Sequence, residues 1–298
     1  MTSKTKALHR GEPEEFRIPQ AVSTPHPRLT TMISRKYAGH SGSGKSHKFP
    51  ILLPATTAVQ IVIRLDETDC RPCSFLRGPK AAPLLLDLFC ASSYLELWLN
   101  PSGAYSLLGP DVGAASRECI VDLYDLVGSR GRELADRIRG EQTWAARFDI
   151  LDKFLLDRAE HGPEFLPGVG RAWAMLVDSG GAMPIGRIAK EVGWSHKHLI
   201  TRFAQQVGLS PKTAARIIRF DRARHLLREN PLSPLHEIAA DCGYADQSHL
   251  TRDFREFFGI TPSAYLMHFQ NEFRRPARSS EQGSAPRSIE RYEFPTRC

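Results

Sequence analysis

No stretch of this 298-residue chain is apolar over the roughly 20 residues that a membrane-crossing helix needs. The basic N-terminal segment MTSKTKALHRGEPEEF has no apolar run behind it, so no secretory leader is expected and the chain reads as cytoplasmic. Cysteine is sparse, with six residues at 70, 73, 90, 119, 242 and 298, too scattered to suggest a disulfide framework. Cys70 and Cys73 have the C-x-x-C spacing of a redox pair or of half a zinc site. A tetrahedral zinc site needs two more ligands, and no second C-x-x-C or H-x-x-x-H follows, so no metal and no cofactor is expected.

What is present is ordinary in amount and uneven in placement. A hydrophobic share of 41% and a charged share of 24% suit a globular protein with room for two domains. The net charge is +7, which favours a polyanionic partner. Residues 170–275 carry 15 basic and ten acidic side chains, so +5 of that +7 lies in the C-terminal third, with six of the histidines.

One short motif points elsewhere. GHSGSGKS, residues 39–46, fits the phosphate-loop pattern G-x-x-x-x-G-K-[ST] through Gly39, Gly44, Lys45 and Ser46. Such a loop works after a buried strand and before a helix whose N-terminus holds the phosphate. HKFPILLP follows here, and Pro50 and Pro54 oppose a long helix. Leu84-Leu85-Leu86-Asp87 imitates the magnesium-positioning partner motif, but the stretch between has no room for crossover helices. A nucleotide-binding switch using Lys45 and Ser46 is the alternative reading; a mobile Gly/Ser loop is the simpler one.

Along the chain, residues 1–28 and 273–298 read as disordered polar tails. Residues 29–160 form a first domain. Val59, Ile61, Ile63 and Leu65 alternate with Gln60, Val62 and Arg64, and Leu95, Leu97 and Leu99 alternate with Tyr94, Glu96 and Trp98, so about 50–110 reads as strands. From about 130 the period turns helical, with Trp144, Phe148, Leu151 and Leu155 on one face. HGPEFLPGVG at 161–169 and just beyond reads as a linker, and residues 170–272 are helical. The fold class is therefore α+β: a strand-rich N-terminal domain with trailing helices, then an all-α domain.

The helical part repeats itself. IGRIAKEVGWSHKHLITRFAQQVGLSPKTA (185–214) aligns with LHEIAADCGYADQSHLTRDFREFFGITPSAY (235–265). Ile188-Ala189 matches Ile238-Ala239, Gly193-Trp194 matches Gly243-Tyr244, and Leu199, Phe203, Gly208 and Pro211 match Leu250, Phe254, Gly259 and Pro262. Each copy reads as a helix-turn-helix: a short helix, a glycine turn, a cap at Ser195 or Asp246, and a second helix that buries its Leu and Phe. The opposite face holds His196, Lys197 and Thr201 in the first copy, and Gln247, Ser248, Thr251 and Arg252 in the second. That face suits base edges in the DNA major groove, where Gln pairs with adenine and Arg or Lys with guanine. Between the copies, 211–230 has no internal Pro or Gly and reads as one helix of roughly 28 Å. A spacer of that size sets two recognition helices into successive major grooves about 34 Å apart. Arg216, Arg219, Arg224 and Arg228 on it read equally as phosphate contacts or as a solvated face.

EIAADCGYADQSHLTRDFREFFGITPSAYL, 237–266, closely resembles the signature of AraC-type (AraC/XylS) transcription regulators, and the resemblance covers about residues 168–270. It implies two helix-turn-helix units joined by a long helix, DNA binding as the activity, and no enzymatic activity. Carried over by position, the base-reading candidates are Lys197, Ile200 and Thr201 in the first unit, with His196 beside them. In the second they are Gln247, Ser248, Thr251 and Arg252, with His249 beside them. Many members have arginine where this chain has Thr201. Arg202 follows, displaced by about 100° around the helix, which assigns it to phosphate. The segment 99–128, with WAARFDILDKFLLDRA after it, is similar to the sensory or dimerisation domain of a subgroup of these regulators. Trp98, Tyr94 and Tyr105 are its pocket candidates, though aromatic residues on strands are more often core. The implied partners are double-stranded DNA, RNA polymerase, a small-molecule effector and a second copy of the chain, with no membrane. Some alkyl-transfer repair proteins share such a DNA-binding domain, but none of the six cysteines has their Pro-Cys-His setting.

Overall fold

The computed structural model describes residues 12–13, 20–41, 51–66, 74–86, 93–110, 112, 120–267 and 290–292. Among the described residues ten strands run in chain order: β1 Glu12–Pro13, β2 Ala21–Ser23, β3 Tyr37–Ser41, β4 Ile51–Leu53, β5 Val59–Arg64, β6 Ser74–Arg77, β7 Leu84–Leu86, β8 Ser93–Leu99, β9 Val121–Asp122 and β10 Glu290–Tyr292. Six of them form an antiparallel sheet in the order β2-β3-β8-β5-β6-β9. The other four form a smaller mixed sheet, β1-β4-β7-β10.

The helices are α1 Pro101–Leu108, α2 Leu123–Val127, α3 Ser129–Gly140, α4 Trp144–His161, α5 Pro167–Asp178, α6 Ile185–Val192, α7 His196–Val207, α8 Pro211–Glu229, α9 Leu235–Asp241 and α10 Gln247–Phe258. The fold is α+β: β1 to β9, with α1 among them, come before Leu123, the remaining helices follow, and the short β10 adds Glu290–Tyr292 to the small sheet.

The expected alternation builds the first core. Val59, Ile61 and Ile63 of β5 and Leu95, Leu97 and Leu99 of β8 bury one sheet face against Phe148, Leu151 and Leu155 of α4. Asp152 fixes this helix on the sheet by accepting from the Tyr37 hydroxyl at 2.7 Å and the His26 backbone N–H at 3.1 Å. The alternate residues Gln60, Val62, Arg64, Tyr94, Glu96 and Trp98 are buried too, so both faces of the central strands are covered. Glu96 accepts from Gln60 at 2.9 Å and also from the Trp98 indole, which lets a carboxylate sit inside the sheet. Tyr105 sits on α1, edge-on to Phe165, rather than on a strand with Tyr94 and Trp98.

Gly39 has a structural reason of its own. It pairs with Leu95 in the interior of the antiparallel sheet, and a Cβ there would overlap the Trp144 ring. A phosphate loop instead leaves a strand for a helix, and Gly39–Ser41 remain strand. Gly44, Lys45 and Ser46 lie outside the described residues, as do Cys70, Cys73 and Asp87.

β1 and β10 fall in the two expected polar tails, where they pair with β4 and β7, and three further segments differ from the sequence expectation. Residues 20–28, assigned to a polar tail, carry β2 and the start of a 3-10 turn, because β2 pairs with β3 and His26 bonds Asp152. Residues 101–108, read as strand, form α1: the Asn100 side chain caps the Gly103 N–H at 2.9 Å and Pro101 suits the first helical turn. The linker expected through 169 ends earlier, since α5 starts at Pro167 and Val169 is already buried.

The C-terminal helices form two further cores that share α8. Ala214 and Ala215 pack with Val169, Leu176, Ile188, Leu199 and Phe203. Ile217, Phe220, Ala223 and Leu227 pack with Ile238, Leu250, Phe254, Phe257 and Tyr265. This second core also takes in Leu52, Ala55 and Leu85 of the small-sheet region. The Ala55 N–H donates to the Phe257 carbonyl at 2.7 Å, so a loop beside β4 satisfies the C-terminal end of α10.

Candidate nucleic-acid interface

The two repeats fold to the same local plan. In the first, the Trp194 N–H bonds the Ala189 carbonyl at 2.9 Å and the Gly193 N–H bonds Lys190 at 3.1 Å. In the second, Tyr244 bonds Ala239 at 2.9 Å and Gly243 bonds Ala240 at 3.0 Å. These are paired helix-closing bonds that need a left-handed residue, and Gly193 and Gly243 supply it at φ 78° and 72°. The following helices start alike. Ser195 accepts from the His198 N–H at 3.2 Å, and Asp246 from the His249 N–H at 2.7 Å.

Leu199 and Phe203 of α7, and Leu250 and Phe254 of α10, are fully buried, so the turn and the inward pair fix which face of each helix looks outward. On α7 that face presents His196, Lys197, Ile200, Thr201 and Arg202, all exposed. On α10 it presents Gln247, Ser248 and Arg252, exposed, and Thr251, half-buried. His249 is also half-buried and stands edge-on to Tyr244 with ring centres 5.2 Å apart, so it props the turn. His198 does the same against Trp194 at 4.6 Å. Thr201 and Thr251 donate their hydroxyls to the carbonyls one turn back, Lys197 at 3.0 Å and Gln247 at 2.9 Å. Arg202 donates to Gln205 on its own helix at 3.2 Å.

The arginines of α8 take a role that the sequence reading did not contain. Arg216 donates to Asp253 at 2.7 Å and to Glu256 at 2.6 Å, and lies over the Phe257 ring. The hydrogen bond to Glu256, with Asp253 adding to it, holds the guanidinium charged well above its usual range against the pull of desolvation. Arg219 lies over the Tyr244 ring and reaches the Gly243 carbonyl. Burial raises the Tyr244 phenol, with Asp253 reinforcing it. Arg224 is buried and pairs with Asp221 at 2.8 Å. Arg216, Arg219 and Arg224 therefore tie α8 to its surroundings within the domain. The missed signals were Asp221, three residues from Arg224 on the same helix, and the acids Asp253 and Glu256, which become partners of Arg216 only once α8 and α10 cross.

The described residues contain no cluster of three or more metal-ligating side chains and no helix long and apolar enough to cross a membrane. Comparison with known proteins agrees with this geometry. A family model described as a helix-turn-helix domain matches residues 188–268. The HTH-type transcriptional activator RhaR of Pectobacterium carotovorum is 37% identical over 78 residues, 26% of this chain and 27% of that protein. The HTH-type transcriptional activator RhaS of Escherichia fergusonii is 30% identical over 154 residues, 52% of this chain and 47% of that protein. The chain thus spans a quarter to a half of the length of these relatives. A crystal structure of an AraC-type transcriptional regulator from Chromobacterium violaceum aligns at 25% identity with a TM-score of 0.33, covering 37% of this chain and 96% of that one.

Proposed function

We propose that this chain, whose C-terminal third belongs to the AraC-type helix-turn-helix family, is a sequence-specific DNA-binding transcription regulator. The observation that carries the reading is the doubled unit: two helices with matching caps and turns, each inward-fixed by Leu and Phe, each with an exposed outward face. In this reading α7 and α10 enter successive major grooves, and α8 sets their spacing. Lys197, Ile200, Thr201, Gln247, Ser248, Thr251 and Arg252 meet base edges, while His196, Arg202 and His249 lie at the rim near phosphate. Residues 29–160 sense an effector, form a homodimer, or both, and communicate with RNA polymerase through the bound chain. The protein acts by binding rather than by catalysis.

The test is selection of bound fragments from random DNA at two salt concentrations. The expected result is an enriched motif of two blocks about one helical turn apart. Binding without a motif that vanishes as salt rises would leave charge as the sole agent and sink the reading.

A further inference from the structure

The two outward faces are chemically unlike. We propose that the first helix-turn-helix reads thymine through the methyl groups of Ile200 and Thr201, while the second reads by hydrogen bonds. The inference rests on the DNA-binding reading above and assigns its first half a base.

Ile200 stands one turn into α7 and is 37% exposed. The other large exposed apolar side chains among the described residues, Val22, Val177, Leu232 and Met267, lie off both recognition helices. A lone exposed isoleucine is ordinary on a protein surface. Its neighbours make this one different. Lys197, Ile200 and Thr201 share one face by their spacing of three and four. The Thr201 hydroxyl proton is committed to the Lys197 carbonyl, so the side chain has no proton left to donate and offers a partner its methyl and an acceptor oxygen. Leu199 and Phe203, both fully buried, hold the helix in the rotation that turns Ile200 outward. Two apolar groups thus stand where a base edge would be met. The thymine 5-methyl is the apolar group that major-groove base edges offer.

Aligning Leu199 with Leu250 puts Thr251 opposite Ile200 and Arg252 opposite Thr201. The second unit therefore has an exposed guanidinium where the first has a methyl. Arg202 does not restore that guanidinium to the first unit, since it lies about 100° further round the helix and bonds Gln205.

The experiment uses the full chain and its selected DNA site, with each thymine replaced singly by deoxyuracil, which lacks only the 5-methyl. At one or two thymines of one block, affinity falls about fourfold, the worth of one buried methyl. In Ile200→Ala or Thr201→Ser, the preference for thymine over uracil disappears at the corresponding position. Uracil tolerated at every thymine overturns the inference while the two-block motif keeps the DNA-binding reading. A thymine preference that persists in both variants also overturns it. If selection returns no motif, the reading itself fails and the inference falls with it.

Discussion

At the scale of single residues, Arg252 and Gly181 carry opposite kinds of consequence. Arg252 is exposed on α10, and its loss leaves the fold alone. Arg252→Ala is expected to cost about 1–3 kcal/mol of specific DNA binding and to relax preference at one base, measured by competition between single-base variants of the site. An equal loss on every sequence would reassign Arg252 to phosphate. Gly181 acts through the fold. Its backbone is left-handed at φ 77°, and a Cβ there would meet the Ala215 carbonyl of α8. Gly181→Ala is expected to lower stability by about 1–3 kcal/mol in urea unfolding, because strain and overlap act together. Both glycine requirements, at 181 and at 39, were invisible in the sequence, since the atoms in the way belong to distant positions.

At the scale of elements, the ion pairs between α8 and α10 decide how firmly the second recognition helix is held. Asp253 is 1% exposed and depends on Arg216. Arg216→Met leaves that carboxylate buried without its cation, and a loss of about 2–3 kcal/mol follows. Adding Asp253→Leu should recover much of it, which a double-mutant cycle by thermal unfolding would register. The helices themselves were legible. Period, caps and the turn glycines placed α6 through α10, because each signal is local and acts on its own neighbours. The outward residues of α7 and α10 followed from the same period. The use of Arg216 and Arg219 was not legible, because their partners on α10 and in the turn before it meet them only when the helices cross; Asp221 and Arg224, three apart on α8, were a local pair that the reading passed over. α1 was missed for a different reason: Asn100-Pro101 ends a strand and caps a helix with the same two residues, and the strand reading took only the first meaning.

At the scale of the molecule, the N-terminal and C-terminal parts share a seam. Leu52, Ala55 and Leu85 sit in the core of the second helix-turn-helix, and the Ala55 N–H holds the Phe257 carbonyl near the end of α10. Leu85→Ala should therefore cost about 2–5 kcal/mol and lower hydrogen-exchange protection in α10, although the substituted residue lies in β7. Protection lost in β7 alone would mean that the seam does not bind the parts together. The doubled unit has one more consequence on the proposed reading. Because its halves present different side chains, a bound molecule has a head and a tail along the duplex. An operator and its inverted copy are then distinct addresses: the inverted copy turns the whole molecule around, so the face offered upstream in one orientation is offered downstream in the other.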